Sequence, residues 1–318
     1  MQYPFNLIKH KVTGSIEDPS ILAFRPFTNT NRSFEADARN FVPGSQLETS
    51  INTAIAVGEP LLITGEPGTG KTQAAYYAAY KLGVEPVIHF QVKSETTAQS
   101  LLYHFDTIRY FHDAHLQNIN TKDNDCIPLD KKEYVEPRSL WHAFEQAEKN
   151  NAPRVILIDE IDKAPRDFPN DLLHELDKME FTVVETNEKI SVSKEHQPIV
   201  FITSNSERRL PEPFLRRCVY HHIRFDDRIV EQAVKVRQNE FKNLSPEFIK
   251  MALRRFLALR DLNLRKKPAT GELLVWLRVL ALAVQTNPEH LDYLEEDLSK
   301  LPYLGVLLKN HQDIEEMV

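Results

Sequence analysis

Glycine is scarce in this chain, with 9 in 318 residues, below the ~7% of average usage. Few positions are therefore set aside for backbone that only glycine adopts readily. Cysteine is scarcer: Cys126 and Cys218 alone are present, so neither a disulfide framework nor a zinc-ribbon spacing is available and a reducing, cytoplasmic setting is expected. Long apolar runs are missing as well. The longest, Leu273 to Val284, contains Arg278, which makes it too short and too charged to span a bilayer, and no membrane insertion is expected. Met1 to Lys11 lacks a basic stretch followed by an apolar one, so no secretory signal is read. Nor is there an excess of positive charge: 39 Lys and Arg face 46 Asp and Glu, a net charge of −7, which argues against a globally basic nucleic-acid binder.

What is present is the balance of a globular protein in water, with 42% hydrophobic and 27% charged residues. At 318 residues the chain exceeds the size at which one core stops growing, so two domains are expected. Charge is segregated: Glu207 to Lys267 carries 16 basic against 8 acidic residues, and Ala269 to Val318 carries 3 against 9. The few glycines are clustered too. Gly65, Gly68 and Gly70 fall within six residues, and none occurs between Gly83 and Gly271. Local enrichment in a glycine-poor chain points to backbone that must approach something closely.

Residues 1–40 read as an irregular segment with a short strand at Ile21 to Phe24. A helical pattern from Gln46 to Ala56 leads into Pro60 to Thr64, an apolar run bounded by turn residues that reads as a buried strand. The glycine loop follows, then a helix from Gln73 to Leu82. Further apolar runs at Pro86–Val92, Arg154–Ile158, Pro198–Thr203 and Val219–Phe225 alternate with helical stretches, which predicts a parallel sheet covered on both faces. Beyond Asp226 only helices are expected, at Asp227–Phe241, Ser245–Arg260, Gly271–Ala283 and Pro288–Leu298. A domain boundary is placed near Phe225.

Four segments carry chemistry. Gly65-Glu66-Pro67-Gly68-Thr69-Gly70-Lys71-Thr72 stands between a strand and a helix, the order a phosphate-binding loop requires. Its glycines let successive N–H groups turn toward phosphates at the positive end of the helix. Lys71 would reach the β- and γ-phosphates of a nucleoside triphosphate, ATP or GTP, and Thr72 would ligate Mg²⁺. Val155 to Asp159-Glu160 is an apolar strand ending in two carboxylates: Asp159 is placed to hold Mg²⁺ and Glu160 to polarise an attacking water. Ile199 to Asn205 ends a third buried run with a polar group able to reach the γ-phosphate or its water. Leu210 to Cys218 holds the pair Arg216-Arg217, and guanidinium suits the charge that develops on a transferring phosphoryl group. His112-x-x-His115 and His221-His222 lack companions at metal-ligand spacing and are read as ordinary polar residues. Trp141, Phe144 and Cys218 are read as core.

As an ordered set, Gly65 to Thr72, Asp159-Glu160, Asn205 and the Leu-Pro-Glu-x-x-Leu-x-Arg stretch resemble an AAA+ ATPase of the MoxR-like branch, over roughly residues 41–290. The resemblance implies an α/β nucleotide-binding domain over 41–225, with a parallel five-stranded sheet of order 5-1-4-3-2 and helices on both faces. It also implies a small all-α lid over 226–318 and assembly into a ring, usually a hexamer. Asp159 and Glu160 take the Walker-B roles, Asn205 that of sensor 1, and Arg217 that of the arginine supplied to a neighbouring subunit, with Arg216 beside it. Residues 100–138 correspond to the helix-2 insertion of this branch, with Lys122 to Asp125 as its exposed tip. The lid position near Pro268 to Glu272, where the superfamily carries a sensor-2 arginine, holds Gly271 and Glu272 instead; Arg265, Lys266, Lys267 and Arg278 are the nearby substitutes.

Three functions are compatible with this set. The leading one is an ATP-hydrolysing ring, chaperone-like, that remodels or activates a protein partner, often a von Willebrand factor A-domain protein in this branch. A nucleotide-dependent switch with slow turnover is the alternative. A nucleic-acid motor or loader rests only on the basic Glu207–Lys267 stretch and is opposed by the net acidity.

Overall fold

The computed structural model describes residues 34–120, 129–286, 294 and 297–317. The expected strand at Ile21–Phe24, the tip at Lys122–Asp125 and most of the expected helix at Pro288–Leu298 lie outside these. The chain divides into two compact units: Pro43–Gly65 with Lys71–Ile223, and the residues up to Val42 with Glu66–Gly70 and Arg224 onwards.

The first unit is built on short apolar runs. Helix α1 (Ser45–Val57) stops where Gly58 turns left-handed (φ 73°) and returns its N–H to the Ala54 carbonyl. Strand β1 (Leu61–Gly65) follows and is buried at every position. Helix α2 (Lys71–Leu82), strand β2 (Ile88–Gln91), α3 (Ala98–Leu102), β3 (Tyr103–Phe105), α4 (Thr107–Asn120), β4 (Val135–Pro137) and α5 (Ser139–Asn150) come next. Asn151, at φ 49°, ends α5 as Gly58 ends α1. Strands β5 (Val155–Asp159), β6 (Glu180–Val183), β7 (Glu188–Ser191), β8 (Ile199–Ser204) and β9 (Val219–Ile223) complete the unit, with short helices at Phe168–Asp171, Leu173–Lys178 and Glu212–Leu215.

Five strands form one all-parallel sheet in the order β2-β5-β8-β1-β9. Counted from the β9 edge, with these five strands numbered along the chain, this is the expected 5-1-4-3-2. The register pairs Leu61 with Phe201, Leu157 with Phe201 and Phe90 with Ile158. Such pairing sets the C-terminal ends of β1, β5 and β8, and so Gly65, Asp159 and Ser204, along one edge, where open parallel sheets place their ligands. The continuous burial of β1 and β5 is what a strand covered on both faces shows. Two antiparallel ribbons, β3 with β4 and β6 with β7, are additions that the strand–helix alternation does not anticipate. They pack on the same core, through Tyr103, Phe181 and Val183, as Leu140, Phe144 and Phe168.

The second unit is helical. Asp226 caps α6 (Asp227–Val236) by accepting from the Arg228 N–H. Ser245 caps α7 (Pro246–Asp261) at Phe248, with Pro246 in the first turn, where its missing N–H costs nothing. Helix α8 (Thr270–Thr286) follows. Val230, Phe241, Phe248, Phe256, Leu273, Leu277 and Leu308 bury one core around Trp276, whose Nε1–H donates to the Pro302 carbonyl at 2.7 Å.

Candidate nucleotide site

The glycine loop holds a backbone that other residues resist. Gly68 and Gly70 sit at φ 78° and 93° and Gly65 at 148°. A Cβ on Gly70 would stand 2.6 Å from Cε2 of Phe41, and one on Gly68 would press on Ala269 and Glu272 at 3.1 Å. Thr69 ties the loop through its hydroxyl, which donates to the Glu66 carbonyl at 2.8 Å, while Glu66 and Pro67 are exposed. Lys71 opens α2, at the positive end of the helix dipole. Its side chain is buried and Nζ donates to the Gly65 carbonyl at 2.9 Å. A turned glycine backbone, a buried ammonium and a helix N-terminus form an anion-binding donor set that fits a nucleotide's phosphates.

At the end of β5, Asp159 is buried and accepts hydrogen bonds from three elements. The Thr72 hydroxyl donates to Oδ1 at 3.0 Å, Thr203 on β8 donates to the same oxygen at 2.5 Å, and His89 on β2 meets Oδ2 at 3.2 Å. An ionised carboxylate only accepts, so His89 Nε2 carries the proton; Nδ1 lies 3.0 Å from the Tyr76 hydroxyl. Burial pushes the Asp159 carboxyl up, but the bonds from His89, Thr203 and Thr72 outweigh it and hold it below the ordinary value. The structure thus brings Thr72 and Asp159, the two expected Mg²⁺ ligands, into direct contact. A hydroxyl beside a carboxylate is an all-oxygen donor pair, the kind a hard divalent cation takes.

Glu160 follows in a left-handed conformation (φ 61°, ψ 50°), which costs a non-glycine residue about 1 kcal/mol or more. Its N–H donates to Thr203 Oγ1 at 2.9 Å. Its carboxylate is gripped three ways: Asn205 Nδ2 donates to Oε1 at 3.2 Å, while Gln91 and Lys163 donate to Oε2 at 2.6 and 2.5 Å. Asn205 and Glu160 therefore meet, as Thr72 and Asp159 do. Asp162, buried, accepts from the Asn205 and Glu207 N–H groups and fixes the turn after β8.

The arginine pair stands elsewhere. Arg217, half-exposed, pairs with Asp177 at 2.8 Å and also donates to the Pro213 carbonyl. Arg216 is exposed, and its guanidinium has no partner among the described residues. Neither contacts Asp159 or Glu160. In the helical unit, Arg278 is buried against Glu240, with Nε 2.6 Å from Oε2. The backbone N–H groups of Arg265 and Lys266 are held by buried Asp313, and the side chains of Lys266 and Lys267 are exposed. The buried cation that reaches the glycine loop is Arg260, which donates to Glu66 Oε2 at 3.1 Å.

His89, Thr203, Gln91, Lys163 and Arg260 are therefore the residues that inspection of the sequence missed. His221 and His222 hydrogen-bond with Ser50 and Thr64, and no metal-binding cluster of His, Cys, Asp and Glu occurs among the described residues. Cys218 is partly buried against the core; burial pushes its thiol up to about 12, which makes it inert as a nucleophile. No helix among the described residues is long and apolar enough to cross a membrane.

The AAA domain family, dynein-related subfamily, matches residues 60–218, which span β1, the glycine loop, the Asp159-Glu160 strand and Arg217. The chain belongs to this family, a class of P-loop ATPase domains. No curated protein matches it. Among solved structures it is similar to a Cytophaga hutchinsonii protein carrying a provisional ATPase label, at 15% identity and a TM-score of 0.40, over 89% of this chain and 92% of that one.

Proposed function

We propose that this chain hydrolyses ATP as a MoxR-like AAA+ ATPase, with residues 41–225 as nucleotide-binding domain and 226–318 as lid. It works in the cytoplasm as a hexameric ring that remodels or activates a protein partner, with von Willebrand factor A-domain proteins as the partner class. The observation that supports hydrolysis best is the convergence of Asn205 and Glu160, 45 residues apart, at 3.2 Å, beside the Thr72–Asp159 pair. In this reading the loop Gly65–Gly70 and Lys71 bind the phosphates. Thr72 and Asp159 hold Mg²⁺, which when bound supplies Lewis-acid polarisation of the phosphoryl oxygens. Glu160 accepts the proton of the attacking water, and Asn205 keeps its carboxylate aimed. Arg217, with Arg216 beside it, is offered to a neighbouring subunit.

A second reading is favoured by one observation. Glu160 Oε2 is held by both Gln91 and Lys163, and a base so occupied suits a switch that turns over slowly. A nucleic-acid motor or loader has only the basic stretch in its favour. The test is the ATPase rate against protein concentration, with light scattering on a sizing column with and without ATP and Mg²⁺. Specific activity that climbs as a hexamer-sized species appears is expected. Concentration-independent turnover by a monomer would overturn the ring, and binding without turnover would favour the switch.

A further inference from the structure

Glu66 places a carboxylate in the middle of a loop whose other features attract anions. An uncompensated negative charge there would oppose a nucleotide's phosphates. The helical unit supplies the compensation. Arg260, near the end of α7, is buried, a rare state for an arginine without dedicated partners. Its guanidinium donates one N–H to the Pro268 carbonyl and another to Glu66 Oε2 at 3.1 Å, and its Cζ stands 3.5 Å from the centre of the Phe225 ring. Aromatic face, carbonyl and carboxylate leave this planar cation little choice of orientation. Next to it, the start of α8 rests on the same loop: the Gly271 N–H meets the Gly68 carbonyl at 3.4 Å, and Glu272 turns back to accept from Ala269 N–H at 3.1 Å. The position expected to carry a phosphate-sensing arginine holds Gly271 and Glu272, neither of which supplies a cation.

We infer that Arg260 is the positioning residue for the phosphate loop in this protein: it cancels the charge of Glu66 and turns that carboxylate away from the anion site, so that a cation of the helical unit acts through the loop rather than on the nucleotide. The inference rests on the nucleotide-binding reading above. It makes the loop's affinity for anions depend on a pair of charges, and pairs of this kind are separable by a double-variant cycle.

The experiment measures binding of a fluorescent ADP derivative with Mg²⁺ to the full chain and to Glu66→Gln, Arg260→Gln and the double variant, at low and moderate salt. Losing Arg260 leaves the carboxylate facing the phosphates and should weaken binding about tenfold; losing Glu66 frees the cation and should tighten it a few-fold. The double variant, with neither charge, should return to within about threefold of the parent. A structural role alone would leave the double variant as weak as Arg260→Gln, and that result overturns the inference. Should Arg260→Gln fail to fold by circular dichroism, Glu66→Gln decides: tighter binding that fades with salt upholds the pairing, and unchanged or weaker binding refutes it. A parent chain that binds no ADP, or binds it equally well as Lys71→Ala, would instead defeat the nucleotide-binding reading.

Discussion

Thr203→Val removes one hydroxyl, keeps the side-chain shape, and leaves the end of β5 short of two hydrogen bonds. Thr203 is buried on β8; its Oγ1 donates to Asp159 Oδ1 at 2.5 Å and accepts from the Glu160 N–H at 2.9 Å. A bond to a charged partner contributes about 1.5–3 kcal/mol and a neutral one about 1 kcal/mol. Asp159 keeps Thr72 and His89 as donors, so its carboxylate is not orphaned and the lower part of that range applies to it. The Glu160 N–H loses its Thr203 acceptor. The variant should therefore lose about 2–4 kcal/mol, a fall of about 1–2 M in urea midpoint for a slope near 2 kcal/mol/M. Thr203→Ser, which retains the hydroxyl, should recover most of it. The chain has two tryptophans, Trp141 on α5 of the first unit and Trp276 on α8 of the second, so 5-fluorotryptophan labelling gives one ¹⁹F resonance per unit. The Trp141 resonance should report the loss. A change under about 0.5 kcal/mol there, or a Thr203→Ser variant as weak as Thr203→Val, would refute the bridging role of this hydroxyl.

The proposed role of Arg217 and two side chains with shifted titration give further outcomes. Arg217→Ala should bind ATP yet lose turnover, and mixing it with Lys71→Ala should restore part of the activity; absence of rescue in a phosphate-release assay would leave Arg217 in a structural role beside Asp177 and Pro213 or acting within its own subunit. The bond from the Ser193 N–H, with His196 added, lowers the Glu148 carboxyl from 4.5 to about 2. A depressed carboxyl stabilises the fold above its unfolded value and loses that effect as pH falls through its folded one. Glu148→Gln should therefore lower the melting temperature at pH 6, and its deficit should shrink between pH 4.5 and 2; a deficit constant across that window would contradict the assignment. Cys218, with its thiol raised to about 12, should resist iodoacetamide at pH 8 in the native chain and react once unfolded, as counted by mass spectrometry.

How much of this was legible in the sequence differs by element. The runs Leu61–Ile63, Val155–Ile158 and Val200–Ile202 are apolar throughout because their strands are buried on both faces, and such runs need no partner to be recognised. The phosphate loop stood out because its glycines are crowded in a chain that has few. The β6–β7 ribbon was missed although its signals are present: Phe181 and Val183 alternate with polar residues, and Asn187 takes the left-handed turn between the strands. His89 was illegible for a different reason. A single histidine in a four-residue strand carries no spacing, and only the pairing of β2 with β5 sets it beside Asp159. Arg260 is one of several arginines on α7, and nothing local distinguishes it from Arg254 or Arg255. Its role depends on Glu66, 194 residues away, and on the grouping of Glu66–Gly70 with the helical unit rather than with the sheet that flanks it in sequence.

The most direct test of a hydrolytic phosphate site is calorimetric titration of Mg²⁺–ATP, with phosphate release followed in parallel, for the parent chain, Lys71→Ala and Glu160→Gln. The parent should bind and release phosphate, Glu160→Gln should bind with similar affinity and release none, and Lys71→Ala should not bind. Equal affinity in Lys71→Ala, or undiminished release from Glu160→Gln, would contradict the account.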